Sequence, residues 1–165
     1  MMQGLLLACL ALLAIAALHD VMARTVPNQL AAALAVAGLG VQTIQGTLLF
    51  GTLAALAVFV LAALCWRRGW MGGGDVKLLG ATALLVPPAS VPMLIATISI
   101  CGGALAFIFL LARRRVTVPR MARPAGLFSR VVRAERWRLR RGGPLPYAVA
   151  IASGAALVIA TGGLT

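Results

Sequence analysis

The sequence predicts an all-α membrane protein with six transmembrane helices, and three observations support that fold class. The 165-residue chain is 62% hydrophobic and 11% charged, whereas soluble domains average about 45–50% and about 25%. Its apolar residues form long runs, and its fifteen basic residues cluster between those runs. This composition excludes an ordinary soluble domain, which needs more polar surface, and it excludes a disordered chain.

Six apolar segments are candidates to cross the bilayer. A spanning helix needs about 20 apolar residues to cross a hydrocarbon core of about 30 Å. Pro27 and Pro146 stand where two of the helices start, which suits proline's fixed φ and missing N–H. The first segment has no basic residue before it, so we interpret it as a membrane helix rather than a cleaved signal peptide. The six segments are 2–18, 28–44, 46–66, 72–86, 89–112 and 146–164.

The basic residues predict the orientation of these helices. One lies between the first and second segments, three lie between the third and fourth or just inside the fourth, and eleven lie between the fifth and sixth. The two other connections carry none. The positive-inside rule makes the face with the three basic connections cytoplasmic, so we predict both termini to face outward. The same rule explains much of the net charge of +12 without nucleic acid as a partner.

Residues 113–143 form the one long polar stretch, and we predict a basic cytoplasmic loop there, within a single membrane domain spanning 1–165. Leu127, Phe128 and Val131 recur at roughly helical spacing among the arginines. This pattern favours an interfacial helix lying on anionic lipid. The alternative is a flexible basic loop that only fixes the topology.

Two of the three acidic residues border apolar segments, and both lie on the predicted cytoplasmic side. Asp20 follows the first segment and Asp75 opens the fourth. Acids at membrane depth are costly and usually functional. Two carboxylates at close range share one proton, so that one can activate a water while the other polarises a carbonyl. This pattern favours peptide hydrolysis; the structural alternative is two separate acids, each neutralised by a nearby basic residue.

The residues before Asp75 predict a recessed, wet site. Gly72, Gly73 and Gly74 are poor helix formers that let the backbone approach other groups closely. The segment 72–86 is also short, at about 22 Å as a helix. A short segment with glycines and an acid is typical of a polar site inside a helical bundle. We expect no metal and no cofactor there, because the three cysteines are widely separated and form no CxxC pair.

Three motifs together resemble the type IV prepilin peptidases, in the short CpaA/TadV-like form of tight-adherence (Flp-type) pilus systems. The family's GxGDxK signature is matched by residues 72–77. Its first aspartate, with a basic residue and a Pro-Asn turn after it, is matched by Asp20, Arg24, Pro27 and Asn28. Its Pro-Tyr stretch at the start of the last helix is matched by residues 146–151.

The resemblance implies an aspartic leader peptidase of the bacterial inner membrane that cuts the basic leader from type IV or Flp-type prepilins at the cytoplasmic face. It implies Asp20 and Asp75 as the catalytic pair. The implied partners are the prepilin and membrane lipids, which we expect to be anionic at the basic loop. The supporting motif residues are Gly72, Gly74, Lys77, Arg24, Pro27, Asn28, Pro146 and Tyr147.

Two other functions stay open at this point: a small ion- or proton-coupled transporter, and a structural membrane subunit of a pilus or secretion machine. Intramembrane acids and broken helices also mark ion pathways. Against the transporter, no acid or histidine lies near the other predicted face to complete a relay. Close approach of Asp20 and Asp75 favours the peptidase, and their separation favours the alternatives.

Overall fold

The part of the chain that the structure describes is helical throughout. The computed structural model describes residues 2–115 and 145–161, and these ranges contain no strand. The predicted all-α class is therefore confirmed. The helices are α1 (Met2–Ala23), α2 (Asn28–Ile44), α3 (Leu48–Arg67), α4 (Gly73–Ala83), α5 (Val91–Arg115) and α6 (Tyr147–Ala160), with a short 3-10 helix at Pro88–Ser90 ahead of α5.

Three of these helical stretches are long and apolar enough to cross a bilayer by length and composition. They are Met2–Ala23, Leu48–Arg67 and Pro88–Arg113. Their outer faces carry exposed apolar side chains, such as Leu7, Leu49 and Ile100, which suits contact with lipid. α2 and α6 are shorter apolar helices of 17 and 14 residues. The full set of six spans and their orientation stay predictions.

α4 lies at the centre of the described bundle. It packs against α2, α3 and α6, and every residue from Gly80 to Val86 is buried. Its 11 residues form a helix of about 16 Å, roughly half of the hydrocarbon core. The sequence predicts one continuous segment over 72–86, but the helix ends at Ala83 and the backbone beyond it is irregular.

A single side chain explains how α4 can end inside the bundle. The fully buried Gln42 of α2 donates from Nε2 to the carbonyl oxygens of Leu84, at 3.1 Å, and Val86, at 2.8 Å. Its Oε1 accepts a hydrogen bond of 2.7 Å from the Thr47 hydroxyl. Leu84 and Val86 follow the last residue of α4, so their carbonyls lie outside its ladder of hydrogen bonds, and lipid offers no donor. Gly51 of α3 leaves room for this amide, since a Cβ there would overlap it.

Close backbone packing also holds the other side of the bundle. A Cβ on Gly154 of α6 would lie 2.7 Å from Ile98 Cγ1 and 2.8 Å from Ile98 Cα of α5. Glycine at this crossing lets the two helices approach closely, as small residues do in membrane helix pairs. α6 also packs against α1 and α4, so the last described helix contacts the first one.

The predicted basic loop at 113–143 lies almost entirely outside the described residues. α5 continues through Arg115, three residues beyond the predicted end of its segment. The interfacial helix proposed from the spacing of Leu127, Phe128 and Val131, and its alternative of a flexible loop, both fall on residues outside the described ranges. Both stay predictions.

Candidate active site

α1 carries Asp20 into the bundle. The sequence predicts the first segment to end at residue 18, but α1 runs to Ala23, and Asp20 is only 7% exposed. Arg24 then adopts φ 57°, a left-handed conformation that commonly ends helices, and its N–H donates to the Asp20 carbonyl oxygen at 2.8 Å. His19 Nδ1 lies 2.6 Å from the Thr25 carbonyl oxygen across the same turn. The chain therefore leaves the helix at Arg24, about one turn after Asp20.

α4 begins with the glycines and carries Asp75 in its first turn. Gly72 caps the helix, and the Asp75 N–H donates to the Gly72 carbonyl at 3.1 Å. An acid in the first turn is favoured by the helix dipole. A Cβ on Gly74 would lie 3.3 Å from Val26 Cβ and 3.4 Å from Val26 N, so glycine permits close approach to the turn after α1. The glycines thus stand at the start of the helix, as the predicted segment boundary at residue 72 indicates.

A cavity of about 330 Å³ lies between the end of α1 and the start of α4. Asp20 and Asp75 both line it, and they are close enough for their charges to interact. The cavity brings together seven of the ten predicted site residues: Asp20, Asp75, Arg24, Asn28, Gly72, Gly74 and Lys77.

A polar contact joins two residues that line this cavity. Lys77 Nζ donates to Asn28 Oδ1 at 2.8 Å, and both side chains are exposed. Lys77 stands two residues after Asp75, and Asn28 is the first residue of α2. The contact therefore ties the start of α4 to the start of α2 beside the two carboxylates. Pro27, a predicted supporting residue, caps α2 with φ −59° and lies outside the lining of this cavity.

The start of α6 supplies a group that sequence reasoning missed. The buried backbone N–H of Ala148 donates to Asp20 Oδ2 at 3.3 Å. Pro146 caps this helix, and Tyr147 is its first residue; neither lines the cavity. The Tyr147 ring packs against α5, where a Cβ on Gly102 would lie 3.0 Å from Tyr147 Cε2. A backbone N–H leaves no mark of its own in a sequence, although the Pro-Tyr motif locates the helix start that presents it.

This arrangement is suited to activating water. An ionised carboxylate that accepts a hydrogen bond from a helix N-terminus is stabilised both by the bond and by the helix dipole. A second carboxylate that lines the same polar cavity can hold the proton that the first one lacks. The ionised carboxylate can then take a proton from a water, and the protonated carboxyl group can donate one to a carbonyl oxygen. This is the requirement for general acid–base hydrolysis.

Comparison with known protein families identifies a match over the first two thirds of the chain. The sequence model of the type IV leader peptidase family matches residues 7–107. This range runs from α1 into α5, and it contains Asp20, the turn after α1, the glycine run and Asp75. No curated protein and no solved structure matches the chain.

Proposed function

The chain belongs to the type IV leader peptidase family, and we propose that it is an aspartic peptidase that removes the basic leader from type IV or Flp-type prepilins. Family membership implies a peptidase and a prepilin substrate. The aspartic mechanism is our proposal. The observation that carries it is that Asp20 and Asp75, 55 positions apart in the sequence, line one polar cavity.

We assign the two carboxylates different roles. Asp20 accepts the Ala148 N–H and is therefore the better placed of the two to carry the negative charge. It acts as the general base and takes a proton from the attacking water. Asp75 carries the shared proton and donates it to the oxygen of the scissile carbonyl. The hydroxide equivalent adds to the carbonyl carbon. The C–N bond then breaks as the leaving amine takes the proton from Asp20, and Asp75 takes back the hydroxyl proton as the carbonyl re-forms, which restores the starting pair.

The same cavity counts against the two alternatives. A transporter needs acids or histidines spaced along a path through the bundle, whereas both aspartates lie in one cavity at one end of α1 and α4. A purely structural subunit needs no shared polar cavity around two acids. No observation favours either alternative specifically.

We also propose that the cavity faces the cytoplasm of a bacterial inner-membrane protein with six spans, a single domain over 1–165 and both termini outside. Three apolar helices and the family membership indicate a membrane protein. Arg24 and Lys77 line the cavity, and such basic residues favour the cytoplasmic face. Reporter fusions within residues 43–45 should report the outside and fusions after Arg67 the cytoplasm. A cytoplasmic C-terminus would contradict this topology.

Cleavage of a co-expressed prepilin tests the function. We expect a mobility shift of leader length with the wild-type protein. Asp20→Asn and Asp75→Asn should each abolish the shift while the protein still inserts, because each removes one half of the acid–base pair. The double variant should be no worse than either single one, since the two groups act as a unit. Glu135→Gln, which removes the third acid of the chain, is the control and should cleave normally. Full activity in either single aspartate variant would refute the dyad.

A further inference from the structure

The only histidine of the chain has no role in the mechanism proposed above. His19 lies one residue before Asp20 near the C-terminal end of α1. It does not line the cavity that contains Asp20 and Asp75, which we call the aspartate cavity. Its ring nitrogen Nδ1 lies 2.6 Å from the carbonyl oxygen of Thr25, in the turn that follows α1. This contact joins α1 to a residue that does line the aspartate cavity.

The chemistry of this contact assigns the hydrogen on the histidine ring. A carbonyl oxygen can only accept a hydrogen bond, so at 2.6 Å the Nδ1 atom of His19 must be the donor. In the neutral ring Nε2 is then without a hydrogen, whereas the neutral side chain of histidine in water more often carries its hydrogen on Nε2. The fold therefore selects one tautomer through the partner that it places beside Nδ1.

The turn that His19 contacts is a wall of the aspartate cavity. Arg24, Thr25 and Val26 all line this cavity. In the described part of the chain, neither Thr25 nor Val26 takes part in a backbone–backbone hydrogen bond, so the bond from His19 is what holds this stretch. A short connection with few hydrogen bonds opens locally at low cost. Loss of the histidine donor should therefore free this wall without unfolding the bundle.

Val26 transmits the position of this wall to α4. A Cβ on Gly74 would lie 3.3 Å from Val26 Cβ and 3.4 Å from Val26 N, so the turn rests directly on the start of the helix. Asp75 is the next residue after Gly74. A shift of the turn therefore changes the position of Asp75 relative to Asp20. Misplacement of reacting groups by about 1 Å can lower a rate about a hundredfold.

We propose that His19 is a positioning residue for the two aspartates, because its hydrogen bond from Nδ1 to Thr25 holds the wall of the aspartate cavity against the start of α4. This inference rests on the proposed function. The Nε2 atom takes no part in the reaction, since His19 lies outside the lining of the cavity. His19 therefore acts on kcat through the geometry of the pair and has little effect on the binding of the substrate.

Two amide substitutions separate the roles of the two ring nitrogens. The side-chain nitrogen of asparagine can occupy the position of Nδ1, whereas that of glutamine reaches the position of Nε2. With a prepilin substrate, His19→Leu and His19→Gln should lower kcat at least about tenfold while KM stays within about threefold of wild type. His19→Asn should keep kcat within about threefold of wild type. The midpoints of SDS-induced unfolding should be similar for all three variants.

Three kinetic results would overturn the proposal. The first is an unchanged kcat in His19→Leu. The second is rescue by His19→Gln but not by His19→Asn, which would make Nε2 the acting group. The third is an equal loss of kcat in His19→Asn and His19→Leu, which would show that a donor at the Nδ1 position is not what matters.

The tautomer can be measured without any activity, because the chain contains a single histidine. In the full-length protein, purified through a tag without histidine and carrying isotope-labelled histidine, the ring nitrogen chemical shifts at alkaline pH should show a hydrogen on Nδ1 and none on Nε2. The opposite pattern would remove the contact and the proposal with it. If the wild-type protein cleaves no prepilin, the proposed function fails and the role of His19 in it fails too, whatever the tautomer. If wild type cleaves and His19→Leu cleaves equally fast, only the role of His19 is refuted.

Discussion

Replacing Gln42 with methionine should loosen the inner end of α4. Methionine has nearly the same length and flexibility as glutamine but cannot donate a hydrogen bond. The carbonyl groups of Leu84 and Val86 would each lose the partner that now lies at 3.1 and 2.8 Å. Neither residue is accessible enough for water to take the place of that partner, since Val86 is fully buried and Leu84 is 7% exposed.

The cost can be estimated from these two bonds. A buried polar group without a partner costs about 1–3 kcal/mol, whereas side-chain hydrogen bonds measured within a membrane bundle average about 0.6 kcal/mol. Two carbonyls therefore cost about 1–6 kcal/mol, and because the lower figure comes from a membrane bundle we expect the free energy of unfolding to fall by about 2 kcal/mol. The Thr47 hydroxyl, which is only partly buried, adds little because it can bond to water.

Gln45 provides a matched control at the same end of α2. Among the described residues, its side-chain oxygen and nitrogen are buried without a hydrogen-bond partner. Gln45→Met removes two unsatisfied polar atoms, so it should leave the stability unchanged or increase it. Both variants can be compared with wild type by SDS-induced unfolding in mixed micelles, followed by circular dichroism. Unchanged stability in Gln42→Met, or equal losses in the two variants, would refute the role assigned to this amide.

Three further predictions concern packing and the site. Gly154→Ala should lower the free energy of unfolding by about 1–3 kcal/mol, because its Cβ would collide with the backbone of α5. Gly103→Ala, with no atom within 4 Å of the new Cβ, should raise the free energy of unfolding by up to about 1 kcal/mol. Thermal unfolding in which Gly154→Ala is the more stable of the two variants would contradict this. Lys77→Met should slow prepilin cleavage while changing the free energy of unfolding by less than about 0.5 kcal/mol, and Lys77→Arg should retain more activity. Equal cleavage rates for the two variants would show that the contact between Lys77 and Asn28 is dispensable. Ala148→Pro should slow cleavage far more than Ala148→Gly, because only proline removes the N–H and because the first turn of a helix tolerates proline. Similar cleavage rates for the two variants would show that this N–H is dispensable.

The sequence predicts those helix ends that local chemistry determines. α2 runs from Asn28 to Ile44, as predicted, because Pro27 starts it and the polar turn after Ile44 ends it. The glycine run likewise predicts a close approach, which the structure gives as the contact of Gly74 with Val26. These features depend on residues within a few positions of each other.

The sequence fails where a distant residue determines the outcome. Hydropathy places the end of α1 at residue 18, since His19 and Asp20 are polar, yet Asp20 stays helical and buried with a hydrogen bond from Ala148. Hydropathy also extends the fourth segment to Val86, whereas Gln42 accommodates an earlier helix end at Ala83. Both partners lie more than forty positions away, and no local pattern reveals them.

The hydrogen bond between Asp20 and Ala148 has a consequence for how the protein is made. Its two ends are 128 positions apart, so the first aspartate is synthesised long before its donor. A nascent chain that has reached α5 already contains both carboxylates, but the Ala148 N–H that donates to Asp20 has not yet been added. Under the proposed mechanism, proteolytic competence therefore requires α6, the last of the described helices, so we expect the chain to stay inactive until that helix has been made.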